Sequence, residues 1–201
     1  MDRILRSISF IFHPIIMPIL GVIFYFHKSP RFIPEEVMYA KLISIGILTI
    51  VLPILTYYLL KTLGKVDTIY LKTTNERIYP LAINCIIILI VIVRILSQAQ
   101  IVELYYFFVG ILISTMACLF LAIFKFKASI HMISISGLFM FFIALSIHFS
   151  INITGTLALM SIILGAVATS RLHTKAHNYM ELIMGFFVGA IPQFILVNHW
   201  L

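Results

Sequence analysis

Three polar stretches of the chain hold nearly all the side chains that could do chemistry. The first contains Lys72 and Arg77, and the second Lys125, Lys127, Ser129 and His131. The third contains Ser170, Arg171, His173, Lys175, His177 and Glu181. That mixture of cations, imidazoles and a carboxylate suits a phosphate ester. Guanidinium and ammonium groups bind phosphate oxygens and neutralise the charge that develops in transfer. One imidazole can attack phosphorus and a second can protonate the leaving alkoxide, while a carboxylate orients the attacking ring. His177 and Glu181 are four residues apart, so on a helix they would share one face.

The same residues admit other assignments. Lys125, Lys127 and Lys175 suit interfacial anchors whose stems snorkel to headgroups, and Arg171 can serve the same way. His131 could simply begin a helix. The four-and-four spacing of His173, His177 and Glu181, with His131 opposite, is also compatible with a zinc or iron set. Clustered cations would repel such a metal. His13, His27, His148 and His199 are scattered along apolar blocks or their ends and are assigned no chemistry.

Stretches so far apart in sequence need a scaffold to bring them together, and composition says what kind. Of 201 residues, 62% are hydrophobic and 10% charged, where a soluble domain carries roughly 25% charged residues. Lipid must be the solvent. The apolar blocks are about 20 residues long and lack two-residue alternation, which excludes a barrel and selects helices. The fold class is therefore all-α, a polytopic transmembrane bundle of six to seven helices forming one integral membrane domain over 1–201.

Membrane segments are expected near 8–26, 38–60, 80–98, 104–124, 131–149, 153–169 and 181–199. Pro14 and Pro18 predict that the first is kinked or re-entrant. The N-terminus is basic before an apolar run and lacks a small-residue cleavage site, so it reads as the first anchor. Residues 61–80 form the longest polar loop. If each later block spans once, that loop, residues 125–131 and residues 170–181 reach the same face. Ionisable groups clustered at membrane depth are a functional site by default.

The net charge of +7 does not signal nucleic-acid binding, since the basic residues sit in short loops where positive charge sets topology. Cys85 and Cys118 lie in separate apolar blocks, which argues against a disulfide framework or a thiolate metal site. Gly165, Gly185 and Gly189 are expected at close helix contacts, and Trp200 in an interfacial belt. No oligomeric state follows from the sequence.

The three stretches resemble the motifs of the type 2 phosphatidic acid phosphatases. The family's third motif reads S-R, five residues, H, three residues, D. Ser170-Arg171, His177 and Glu181 repeat that spacing with Glu for Asp. Its second, P-S-G-H, is matched by Ala128-Ser129-Ile130-His131 without the Pro and Gly. Its first, K, six residues, R-P, is matched loosely by Lys72, Arg77 and Pro80. The resemblance spans about 72–181. It implies a metal-independent phosphatase, with no cofactor, acting on lipid-linked phosphates. His177 would be the nucleophile, Glu181 its orienting partner and His131 the general acid. Lys72, Arg77, Ser129, Ser170 and Arg171 would hold the phosphate. Ile130 departs from the Gly, because a β-branched residue does not easily adopt φ > 0. A second departure is the hydrophobic hairpin at 80–124, between motifs expected to share a loop.

Two signals disagree on the membrane face. With seven spans, Arg3, Arg6, Lys61, Lys65, Lys72, Arg77, Lys125, Lys127, Arg171 and Lys175 share the motif side. Lys28, Arg31, Lys41 and Arg94 lie opposite, so the positive-inside rule favours a cytoplasmic site. A re-entrant first segment moves Arg3 and Arg6 across and shrinks that bias. The resemblance implies the outer face of the cell membrane, and the reading adopted follows it.

Overall fold

A computed structural model describes residues 2–69, 71, 73–96 and 100–201, with the backbone alone at positions 2–4 and 6. Its regular structure is helical throughout: α1 (Asp2–Ile11), α2 (Met17–Lys28), α3 (Glu35–Gly46), α4 (Leu52–Thr62), α5 (Thr74–Ile90), α6 (Val102–Ile123), α7 (Ile130–His148), α8 (Thr154–His173) and α9 (Tyr179–Val197). Among the described residues, seven segments are long and apolar enough to cross a membrane: Ser7–Lys28, Glu35–Thr62, Thr74–Ile95, Val102–Ile123, Ile130–His148, Thr154–His173 and Tyr179–Val197. The chain has the character of a multi-pass membrane protein.

Local sequence explains how these segments bend. His13 and Pro14 break the first one, and a 3-10 turn at Pro14–Ile16 links α1 to α2. The expected kink is therefore present. The segment is not re-entrant: Ser9 meets Ser170 near the end of α8 and His131 at the start of α7, and Tyr25 meets Glu103 at the opposite end of the bundle. Pro53 lacks the N–H that Thr49 would otherwise accept, and the helix widens into a π turn at Ile47–Val51 just before it.

The third segment departs from expectation. Residues 74–80, expected from the sequence to be loop, form the first turns of α5. Thr73 caps that helix by accepting from the Glu76 N–H at 3.3 Å, and a cap three residues ahead of an acidic side chain is a strong start signal. Pro80 is accommodated inside the helix. The consequence for the site is that Arg77 sits on a helix and not in a loop.

The core centres on α7 and α9, which make the most extensive contact in the fold. Gly185 and Gly189 permit it. A Cβ on Gly185 would come within 2.8 Å of the Ser129 carbonyl, and one on Gly189 would collide with the Ile133 carbonyl and the Ser136 hydroxyl. Gly165, expected at a similar contact, has open space where its Cβ would lie. α3 and α4 form an outer layer, with Ile43, Ile47, Val51, Leu55 and Tyr58 exposed.

At the end of the bundle away from the motifs, Glu103 is fully buried at the start of α6. Its Oε1 accepts from Arg31 Nε at 2.8 Å and Nη2 at 2.7 Å, and lies 3.1 Å from His148 Nε2. Its Oε2 accepts from the Tyr25 hydroxyl at 2.9 Å. One carboxylate thus ties together α2, the 29–34 loop, α6 and α7. Trp200 belongs to this end as well. It is 7% exposed and packs edge-on against His148 and beside Phe141. It is a core residue and does not form the interfacial belt expected from its place near the chain end.

Candidate active site at the convergence of three loops

Cross-loop hydrogen bonds show the convergence directly. Arg77, 3% exposed, donates from Nη1 to the Ala128 carbonyl at 2.7 Å and from Nε to the Leu71 carbonyl at 3.1 Å. Lys127 donates to the Ala176 carbonyl at 3.2 Å, and the Ser129 N–H donates to the Glu181 carbonyl at 3.0 Å. The start of α5, the α6–α7 loop and the α8–α9 loop are therefore one assembly. Lys72 lies outside the described residues.

His177 and Glu181 stand at its centre. The ring Nδ1 lies 2.7 Å from Glu181 Oε2, with the His177 side chain 1% exposed. They do not share a helical face as the spacing suggested. α8 ends at His173, the chain turns through Lys175 at φ 52°, and α9 starts only at Tyr179. The pair is instead built by a capping box. Asn178 caps α9 and accepts from the Glu181 N–H at 2.9 Å, while Glu181 Oε2 accepts from the Asn178 N–H at 3.2 Å. The same oxygen meets His177, one residue before the cap. A carboxylate at this third helical position reaches back over the cap, so the longer Glu suits the place. The helix break also removes the common face on which a metal set of His173, His177 and Glu181 depended. Among the described residues no group of three or more His, Cys, Asp or Glu is placed to hold a metal ion.

Electrostatics set the state of the ring. Burial first, then the charges of Arg77, Arg171 and Lys127, hold His177 far below its ordinary 6.5, at about 3, with the Lys127 backbone opposing them. The carboxylate does not offset burial and three cations, so the ring is neutral at pH 7. Its Nδ1–H is donated to Glu181, which leaves the lone pair on Nε2. Lys127 is also lowered, chiefly by burial and next by the Arg77 charge.

Ser129 precedes α7 and is fully buried. Its hydroxyl has no hydrogen-bond partner among the described residues, a costly arrangement away from water. Ile130, where the resemblance would place Gly, is the first residue of α7 and has helical backbone. This chain needs no positive φ there. Arg171 lies close enough for its charge to act on His177, Lys127, His131 and His13. An open depression of about 400 Å³ reaches this region, lined by Lys127, Leu172, Lys175, Ala176, His177, Asn178 and Glu181.

Two expected site residues turn towards the N-terminal segment. His131 Nε2 lies 3.1 Å from the Ser9 carbonyl, to which it donates. The Ser170 hydroxyl donates to the Leu5 carbonyl at 2.5 Å and lies 2.6 Å from the Ser9 hydroxyl, which donates to it. Ser170 thus ties α8 to α1. Ser9, His13 and Asn178 escape a reading of the sequence for site residues. The Asn-x-x-Glu cap beginning at Asn178 is a legible signal; the approach of α1 needs the fold. No protein-family model, no curated protein and no solved structure matches this chain.

Proposed function

We propose that this protein hydrolyses a phosphomonoester or diphosphate on a membrane lipid, in the manner of the type 2 phosphatidic acid phosphatases. The observation that carries the reading is the buried, neutral His177 held at Nδ1 by Glu181, among Arg77, Lys127 and Arg171. His177 Nε2 attacks phosphorus, the bond from phosphorus to the lipid oxygen breaks, and a phosphohistidine forms. His131, which gains a proton as the anionic phosphate binds beside it, passes that proton to the leaving alkoxide and recovers one from the water that then releases phosphate. Arg77, Arg171 and the Ser129 hydroxyl take the phosphate oxygens. The His131 hydrogen bond to Ser9 is exchanged for one to the leaving oxygen in that step.

Detergent-purified protein tests this on phosphatidic acid, phosphatidylglycerol phosphate and an isoprenyl diphosphate, with EDTA present. EDTA-resistant phosphate release supports the reading. No release from a wider panel of lipid phosphates would reject it. The commitment of His131 and Ser170 to α1 favours one other reading, a non-catalytic protein that binds or carries an anionic lipid. Tight lipid-phosphate binding without release would select that alternative.

A pH profile probes the nucleophile's environment. The neutral ring persists well below its ordinary 6.5, so the acid limb of kcat/KM should fall near pH 3 to 4, on the order of the folded-state value. Linkage has the same direction. A histidine lowered on folding supports stability fully above 6.5, and that contribution is lost as pH falls towards about 3. A ring that gains its proton near 6.5 in an NMR titration of His177, where the substrate's own phosphate ionisation does not intrude, would show that it is not held as described.

The resemblance alone favours the outer face of the cell membrane for the site, against the ten-to-four bias of basic residues that a spanning first segment leaves in place. Lys175 is exposed in the α8–α9 turn, and Lys175→Cys in intact cells should react with a membrane-impermeant maleimide. Labelling only after lysis would place the site in the cytoplasm.

A further inference from the structure

The first segment brings a third histidine to the site. His13 precedes the 3-10 turn at Pro14–Ile16, and its ring meets that of His131 edge-on with centroids 5.5 Å apart. Arg171 is near enough to act on it electrostatically. It occupies a break in a helix at membrane depth, where irregular backbone is tolerated if it is enclosed by protein or lines a cavity. A histidine there is expensive unless it serves a purpose.

The orientation of the ring says what it can offer. His13 Nδ1 accepts from the Ile15 N–H at 3.3 Å. An imidazole that accepts at Nδ1 carries its hydrogen on Nε2, so the distal atom is a donor. The residue is exposed, and Nε2 makes no hydrogen bond among the described residues. His131, by contrast, has its Nε2 hydrogen on the Ser9 carbonyl. We infer that His13 is a phosphate-binding residue of this site, donating its Nε2–H to an oxygen of the bound phosphate beside His131 and Arg171. As a neutral donor it moves no proton. It would add a fourth chain segment to the three motif-bearing ones, and the N-terminal segment would then be part of the binding surface as well as a membrane anchor.

The inference rests on the phosphatase reading, and the two can fail separately. The side chain has two separable duties, the local cap through Nδ1 and the distal donor through Nε2. His13→Asn keeps an acceptor for the Ile15 N–H and removes the distal donor. His13→Gln places an amide N–H near the position of Nε2. The probe is inorganic phosphate, titrated calorimetrically into detergent-purified protein, with thermal unfolding run alongside. A hydrogen bond to a charged group implies that His13→Asn binds phosphate about tenfold or more weakly, at an unchanged unfolding midpoint. His13→Gln should recover most of that loss. Wild-type binding with His13→Asn equally tight would overturn the inference and leave the phosphate site standing. No phosphate binding by the wild type would overturn the inference, and phosphate release from the lipid panel would then decide the phosphatase reading separately.

Discussion

His177→Ala is expected to lower phosphate release from a lipid phosphate by at least about a thousandfold, the scale on which loss of a covalent nucleophile acts. The reason is specific to the attacking atom. Arg77, Lys127 and Arg171 remain in the variant, so lipid-phosphate binding should change little while kcat collapses. Stability should fall by only about 1 to 2 kcal/mol, because one buried hydrogen bond to Glu181 is lost and the capping box at Asn178 stays intact. Glu181→Gln separates the roles of the carboxylate. Glutamine still caps α9 but removes the negative charge beside the ring, so it should lower kcat without unfolding the helix start. Phosphate release and unfolding measured on the same preparations check both statements. Release by His177→Ala within tenfold of wild type would move the nucleophile elsewhere.

The second large effect is on the fold. Glu103→Ala should destabilise the protein by about 2 to 4 kcal/mol, chiefly from the buried Tyr25 hydroxyl left without its acceptor and the cavity left behind, since Arg31 is 42% exposed and can turn to solvent. Arg31 and the Tyr25 hydroxyl would each lose their acceptor, and His148 its carboxylate neighbour. For a chain of this length that corresponds to a thermal midpoint lower by about 10 °C. The site is at the other end of the bundle, so turnover per folded molecule should stay near wild type at low temperature. A midpoint within two or so degrees of wild type would mean that the four elements are held by apolar packing alone.

Much of the fold is legible in the sequence, because lipid imposes strong constraints. Long apolar blocks with so few charges leave the chain no choice but helices, and hairpin parity then carries the motif-bearing loops to one face. The Arg77–Ala128, Lys127–Ala176 and Ser129–Glu181 bonds realise that convergence. Other features are hidden for identifiable reasons. The start of α5 is obscured because Pro80 and a polar composition suggest loop more strongly than the Thr73–Glu76 cap suggests helix. The His177–Glu181 spacing identifies the right pair through the wrong geometry, since a capping box and a helical face both bring residues four apart together. Trp200 beside the chain end has the composition of a belt residue, and only tertiary packing against Phe141 and His148 buries it. Glu103 resembles one more polar residue of a turn. Its three partners come from distant parts of the chain, and no local pattern announces them.

The most direct measurement is to trap the intermediate. Detergent-purified protein would be mixed with a lipid phosphate radiolabelled on phosphorus, in EDTA, and quenched under alkaline conditions during turnover. The expected result is label on the protein that survives base, is lost in acid as a phosphoramidate must be, maps to His177 and is absent from His177→Ala. Steady phosphate release with no labelled protein at any quench time, or label persisting in His177→Ala, would contradict the histidine mechanism.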